Sequence, residues 1–374
     1  MFAFTFSLSH DAPTAPFPAR QVSVHYHGWM PRRHNQSQSP SQVDVARAAG
    51  VSTQTVSRVI SGQANVRPET ARRVLAAVDE LGYRVHAAAA SLASGRTRIL
   101  GVIEVSTARY STSAINVGIE TVASEEGYTV TTASVSDHAS PDSFLDAFDR
   151  LERQGAEGVI LLAPVTFLDN AMGARTERTP TVLMHHLTSG VGTDTVVDQS
   201  SIARLATEHL LSLGHRTVWH VSGDDYWLES RVRRQTWEQV LIEHGVTPPP
   251  VIPADWTPES GYRAGRTIAA IPDATAVFVS SDEMAFGVIR ALHEAGRTVP
   301  DDVSVVSVDD IALAAYAAPA LTTVRQPFEA VGRAAATRVI DLIEQREPSP
   351  IEPISAELIV RASTAPPGSA GTAR

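Results

Sequence analysis

"GVSTQTVSRVISG" (residues 50–62) is the stretch on which the fold turns. Gly50 stops one helical pattern, and Ser52 stands where it can cap a second that runs through Ser61. The apolar positions Val51, Val56, Val59 and Ile60 gather on one side of that helix. Thr53, Gln54, Ser57 and Arg58 line the other. A helix that only packed would have no use for four hydrogen-bonding side chains on its free face.

Upstream, "QVDVARAAG" places Val43, Ala46 and Ala49 on one stripe. Downstream, "RPETARRVLAAVDELGY" starts a third helix with Pro68 in its first turn and Val74, Leu75, Val78 and Leu81 facing inward. Helix, glycine turn, helix and supporting helix make a helix-turn-helix unit over residues 41–85. Residues 1–40 are rich in Pro, Ser, His and Gln without apolar periodicity and read as a disordered tail, within which Met30 could itself be a start. His25, His27 and His34 lack matching carboxylates, so a solvated tail is expected there rather than a metal cluster.

Residues 86–98, "HAAAASLASGRTR", form an Ala-rich link whose lone large apolar residue is Leu92. From Ile99 the pattern changes. Apolar runs "ILGVIEV", "YTVTTASV", "GVILLA", "TPTVLMHH", "TVWHVSG", "TAVFVSS" and "VSVVSVDD" alternate with helical stretches at 112–126, 141–154, 229–244, 258–270 and 282–296. Continuous apolar strands separated by helices predict parallel sheets covered on both faces. The span 99–363 is long for one such sheet, which predicts an α/β core of two lobes. Residues 364–374, rich in Pro, Gly and Ala, read as a second disordered tail.

Composition narrows the function classes. With 43% hydrophobic and 19% charged residues the chain fits a soluble globular protein. No apolar run nears the roughly 18 residues a membrane span needs. The N-terminus lacks a basic secretory region, so a cytoplasmic protein with no membrane partner is expected. The absence of cysteine excludes disulfides, zinc–thiolate sites and thiol catalysis. All 31 basic residues are arginine, which a GC-rich coding bias explains. Residues 1–98 carry 11 Arg against 5 acids, a net +6 that leaves −16 for the rest of a chain of net −10. A basic module on an acidic one points to a polyanion partner for the first part alone. No nucleophile elbow, HExxH or phosphate-binding loop appears, and no cofactor is expected.

The stretch "VDVARAAGVSTQTVSRVISGQANVRPETARRVLAAVDELGY" closely resembles the DNA-binding headpiece of the lactose-repressor/galactose-repressor family of bacterial transcription regulators. The resemblance continues through "TRILGVI", "RLATEHLLSLGHR", "DWTPESGYRA", "SSDEMAFGVIRALHEAGRTVPDDVSVVSVDD" and "LTTVRQP", covering residues 41–363 in the family's order. It implies an all-α helix-turn-helix headpiece, a hinge helix, and a core of two doubly wound parallel-sheet lobes like those of periplasmic sugar-binding proteins. It also implies that the chain crosses between lobes near Val196–Gln199, Asp309–Asp310 and Glu352–Ile359.

Site roles follow from the same resemblance. Thr53 and Gln54 would read base edges, with Arg58 as a third reader; Gln pairs bidentately with adenine and Arg with guanine. Ser52, Thr55, Ser57 and Asn65 suit phosphates, which fix register without reading sequence. The alternative is a plain solvated face. Leu92 matches the apolar wedge that enters the minor groove, and otherwise it caps the core. Val85, His86 and Ala90 depart from the Pro, Asn and Arg usual in the family's hinge. In the core, Arg233, Trp256 and Asp282 match the ligand-holding arginine, aromatic and carboxylate. Tyr110 and His185 would close the site from the first lobe, His185 standing where the family usually has Asp. Trp256 could instead be a core residue, and His185 a satisfied buried histidine.

The expected protein is a homodimeric repressor, not an enzyme. It binds double-stranded operator DNA and is controlled by a mono- or disaccharide effector, a β-linked disaccharide or galactoside by preference. The alternatives are a sugar-processing enzyme and an exported sugar-binding protein.

Overall fold

Ser41 and Asp44 open helix α1 (Gln42–Ala49) with a reciprocal cap. The Ser41 N–H donates to Asp44 Oδ2 at 2.9 Å, and the Ser41 hydroxyl accepts from the Asp44 N–H. The computed structural model describes residues 40–60, 66–84, 91, 95–105, 109–163, 175–183, 197–347 and 354–368. Expectations placed on residues 1–39, Ser61, Asn65, Val85, His86, Ala90, Leu92 and His185 lie outside the described residues. The chain divides into two units, 1–85 and 86–374.

In the first unit, Gly50 ends α1 in the left-handed region at φ 63°, where its N–H reaches the carbonyls of Ala46 and Arg47. Helix α2 (Thr53–Ile60) follows after two residues, and α3 (Pro68–Leu81) supports both. Arg73 of α3 donates to the carbonyls of Ala49 (2.6 Å) and Gly50 (3.3 Å), tying the supporting helix to the turn. Val45, Ala46, Ala49, Val56, Val74 and Ala77 form the core. Two expected core residues face outward: Val43 is 53% exposed and Leu75 51%. Val45 on α1 and Ala77 on α3 take the inward positions, because a helix with apolar residues on either side of its stripe does not fix its own rotation.

The second unit opens with strand β1 (Ile99–Val105), followed by α4 (Tyr110–Glu125), β2 (Thr129–Val135), α5 (Pro141–Arg153), β3 (Ala156–Leu162) and β4 (Thr181–Leu183). These strands form a parallel sheet of order β2-β1-β3-β4. Then come α6 (Gln199–Ser212), β5 (Trp219–Ser222), α7 (Leu228–Glu243), β6 (Ile252–Pro253), α8 (Pro258–Ala269), β7 (Ala276–Val279), α9 (Asp282–Glu294), β8 (Ser304–Asp309), β9 (Thr322–Arg325), α10 (Phe328–Ile343) and β10 (Glu357–Ile359). The second sheet runs β10-β9-β8-β7-β5-β6, parallel except for the antiparallel edge strand β10. Apolar clusters lie on both faces. One holds Phe144, Phe148, Ile268 and Val288; the other holds Ile119, Leu210, Trp237 and Val339. This is the doubly wound, two-lobed α/β architecture.

The expected crossing at Asp309–Asp310 is corrected. There the chain turns from β8 through a short 3-10 helix back to β9, within the second sheet. The crossing comes at Gln326–Pro327, after which α10 packs on α4 and β3 of the first lobe. In that packing, a β-carbon at Gly118 would overlap the Glu329 carbonyl, and one at Gly332 the Ile115 carbonyl. Gly261 and Gly287 let α8 and α9 meet in the same way in the second lobe.

Both outer boundaries of the core also move. Arg96 donates to Glu157 Oε2 (2.7 Å), Glu344 Oε1 (3.1 Å) and Tyr128 Oη (2.6 Å). The backbone N–H groups of Thr97 and Arg98 donate to Glu157 Oε1. The end of the presumed link is thus fastened to the first lobe. At the other end, Ala365 exchanges hydrogen bonds with Ser304, and Thr364 pairs with His209 at 3.0 Å. The described part of the expected disordered tail 364–374 is therefore bonded into the second lobe.

Candidate functional site

On α2, Ser52, Thr53, Gln54, Ser57 and Arg58 are exposed on one face, opposite the buried Val56. Thr55 is half-buried. The Ser52 hydroxyl accepts from the Thr55 N–H (3.2 Å) and lies 2.9 Å from the Thr55 hydroxyl, so these two start the helix. The face left outward carries hydrogen-bonding groups and a guanidinium, the equipment for a groove of nucleic acid.

The core holds a cavity of about 100 Å³ between its lobes. Its first-lobe wall includes Arg109, Ser111, Thr112 and Ile115; its second-lobe wall includes Trp227, Glu229, Arg233, Trp256 and Glu283; Gln199, Gln326 and Phe328 come from the crossings. Arg233, 3% exposed, is fixed there: Nε donates to Gln199 Oε1 (2.9 Å) and Nη1 to the Ser280 carbonyl (2.6 Å). Gln199 donates on to Gln326 (3.0 Å), and Gln326 to Asp309 Oδ1 (2.7 Å). One polar chain therefore threads two of the interlobe crossings. Burial pushes the Asp309 carboxyl well above the usual carboxylate range, against the pull of Arg233. Burial also raises Glu229 and Glu283 and lowers the guanidinium groups of Arg109 and Arg233.

Trp256 holds φ at 73°, a conformation costing a non-glycine residue about 1–2 kcal/mol, and its ring lies where a β-carbon at Gly223 would be. Asp309 (φ 122°), also in the cleft wall, is strained as well. The indole N–H groups of Trp227 and Trp256 and Glu229 Oε2 are sealed from solvent without hydrogen-bond partners. Side chains that line the cavity thus hold two unmet donors and an unmet acceptor, which suits a ligand that both donates and accepts.

The expected site residues divide. Arg233 and Trp256 line the cavity together. Asp282 does not: its carboxylate accepts from the Ser307 hydroxyl, the Thr323 hydroxyl (2.7 Å) and the Ile311 N–H (2.8 Å), binding β8, β9 and the loop after β8. Its neighbours Ser281 and Glu283 face the cavity instead. Tyr110, 42% exposed, lies beside the cavity with its ring 6.2 Å from Phe328 and its N–H on Glu283 (3.3 Å). His185 lies outside the described residues. The residues not anticipated as ligand contacts are Arg109, Trp227, Glu229, Gln199, Gln326 and Asp309. Trp227, a second tryptophan just before a helix like Trp256, was the available signal. Among the described residues no helix is long and apolar enough to cross a membrane, and no three His, Asp or Glu side chains could hold a metal ion.

Residues 43–86 match the model of bacterial regulatory proteins of the lacI family, and residues 207–364 that of a periplasmic binding protein-like domain. The HTH-type transcriptional repressor PurR of Serratia proteamaculans is 32% identical over 86% of this chain and 96% of its own. Among solved structures, the lac repressor dimer bound to operator and the anti-inducer ONPF superposes with a TM-score of 0.79. Its identity is 28%, over 88% of this chain and 100% of that one. The complex of the transcriptional regulator CelR with cellobiose gives 0.62 at 30% identity, over 87% and 99%.

Proposed function

The chain belongs to the lacI family of bacterial regulatory proteins, and from that membership we propose a dimeric, cytoplasmic repressor whose operator affinity is set by a sugar in the interlobe cleft. The observation that carries this reading is the presence, in one chain, of an exposed polar helix face in a helix-turn-helix unit and a cleft lined by two tryptophans with unmet polar groups. Thr53, Gln54 and Arg58 read bases; Ser52, Thr55, Ser57 and Asn65 hold phosphates; Leu92 is the wedge of the hinge. Arg233 and Trp256 hold the effector, His185 and the segment at Tyr110 bound the site, and Asp282 acts by fixing β8 and β9.

A sugar offers hydroxyls at its edge and C–H groups on its faces, which match guanidinium and indole. The cellobiose complex of CelR supports a β-linked disaccharide. The groove of Phe286, Ile289, Leu313 and Tyr316 on the second lobe, with Tyr316 86% exposed, suits self-association. The sugar controls affinity only by preferring one arrangement of the core, since equal affinity for both would shift nothing. The chain performs no chemistry on the sugar, a reading supported by the transcriptional repressors and regulators it is similar to. The test is salt-dependent binding to the DNA upstream of its own gene, with and without candidate sugars. Sequence-selective binding that changes with one sugar is expected. Failure to select any DNA sequence, with or without sugars, rejects the reading.

A further inference from the structure

The cleft is already partly filled by the chain itself. Arg109 precedes α4 on the first lobe, and its guanidinium carbon lies 4.1 Å from the ring centroid of Trp227 and 5.0 Å from that of Trp256. Both indoles belong to the second lobe. Arg233 is locked by hydrogen bonds to Gln199 and Ser280, whereas no hydrogen bond holds the Arg109 guanidinium among the described residues. Ring faces and charge hold Arg109, with Glu229 its foremost attraction. The space left, about 100 Å³, is below the roughly 300–1,000 Å³ of ordinary small-molecule pockets.

We propose that Arg109 is a displaceable internal occupant of the effector cleft, covering the two indole faces a pyranose ring would cover, so that a neutral pyranoside binds by expelling it. The inference rests on assigning the cleft to an effector. What Arg109 lacks, such a ring supplies. Guanidinium has donors only, so it cannot satisfy the indole N–H groups of Trp227 and Trp256. A sugar carries oxygens that accept as well as hydroxyl groups that donate. Expulsion also removes a contact that joins the two lobes, which ties ligand entry to lobe arrangement.

Arg109→Ala and Arg109→Gln in the full chain test this by tryptophan fluorescence and calorimetry, with thermal melts to verify folding. Methylguanidinium chloride, a surrogate for the lost side chain, is expected to saturate both variants in the millimolar range and leave the wild type unchanged. Cellobiose and methyl β-galactopyranoside are the sugar probes. One that binds the wild type is expected to bind the variants about tenfold more tightly. Two outcomes overturn the proposal: no saturation of either folded variant by methylguanidinium, or sugar affinity that falls when Arg109 is removed. Saturation by methylguanidinium with neither sugar binding any of the three proteins supports the occupant role and counts against the sugar effector.

Discussion

His220 shows what burial does to a single side chain here. Its ring stacks on Phe278 at 4.6 Å, its Nδ1 is paired with the Phe278 carbonyl, and its Nε2 is buried without a partner. Burial holds its pKa down to about 3. The folded state keeps it neutral while the unfolded chain takes up a proton below about pH 6.5. This contribution to stability is therefore complete above pH 6.5 and lost as pH falls, by about 1.4 kcal/mol per unit. Asp282, pushed by burial up to about 6, works in the opposite sense: the folded state keeps its proton longer, so stability falls as pH rises from about 4 to 6. Urea titrations from pH 4.5 to 8 are expected to show wild-type stability falling relative to that of His220→Gln below pH 6.5, by about 1.4 kcal/mol per unit, and a difference that does not change with pH contradicts this. Gln54 acts at the same scale on function. Gln54→Ala is expected to lower discrimination at one operator base pair by about 1–3 kcal/mol and leave the thermal midpoint unchanged, read from affinities for single-base operator variants. Single residues were also the hardest to read in sequence. Asp282 follows the family pattern yet spends its oxygens inside the sheet, and Arg109 belongs to no motif, because only the fold brings it to the two tryptophans.

Helices and strands were far more legible. Five predicted helices appear within about two residues of their expected ends, since caps and apolar periods are local properties of the chain. The errors came where locality fails. Val43 and Leu75 face outward because neighbouring helices, not their own, decide which stripe is covered. The second crossing, which the family resemblance implies at Asp309–Asp310, comes later, because partner strands decide where the sheet ends and β8 still pairs with β9. The glycine-to-backbone contacts between α4 and α10 were invisible for the same reason. Gly332→Ala must push the two helices apart or distort them, and is expected to cost about 2 kcal/mol or more in urea unfolding. Gly82→Ala, where no atom lies within 4 Å of the new methyl, carries only the left-handed backbone penalty, expected at about 1 kcal/mol. Equal losses for the two would show that close helix packing does not govern the first lobe.

At the scale of the whole chain, two-lobed architecture and family were readable because motifs over more than three hundred residues kept their order. How the cleft communicates was not, since it depends on contacts far apart in sequence. Helix α10 begins at Phe328 in the cleft wall, and the turn after it presents Glu344 to Arg96. Glu344→Gln is expected to leave sugar affinity unchanged and to shrink the change in operator affinity that the sugar produces, measured by fluorescence anisotropy. An unaltered ratio removes Glu344 from the path. Sixteen residues at 1.5 Å each make α10 a lever about 24 Å long. With α4 seated against it through bare glycines, it has little freedom to bend. A tilt of about 5° at the cleft would carry Glu344 through about 2 Å, enough to break a hydrogen bond. A small angle at the cleft end, taken up by α10 and α4 together, becomes a broken contact at the other.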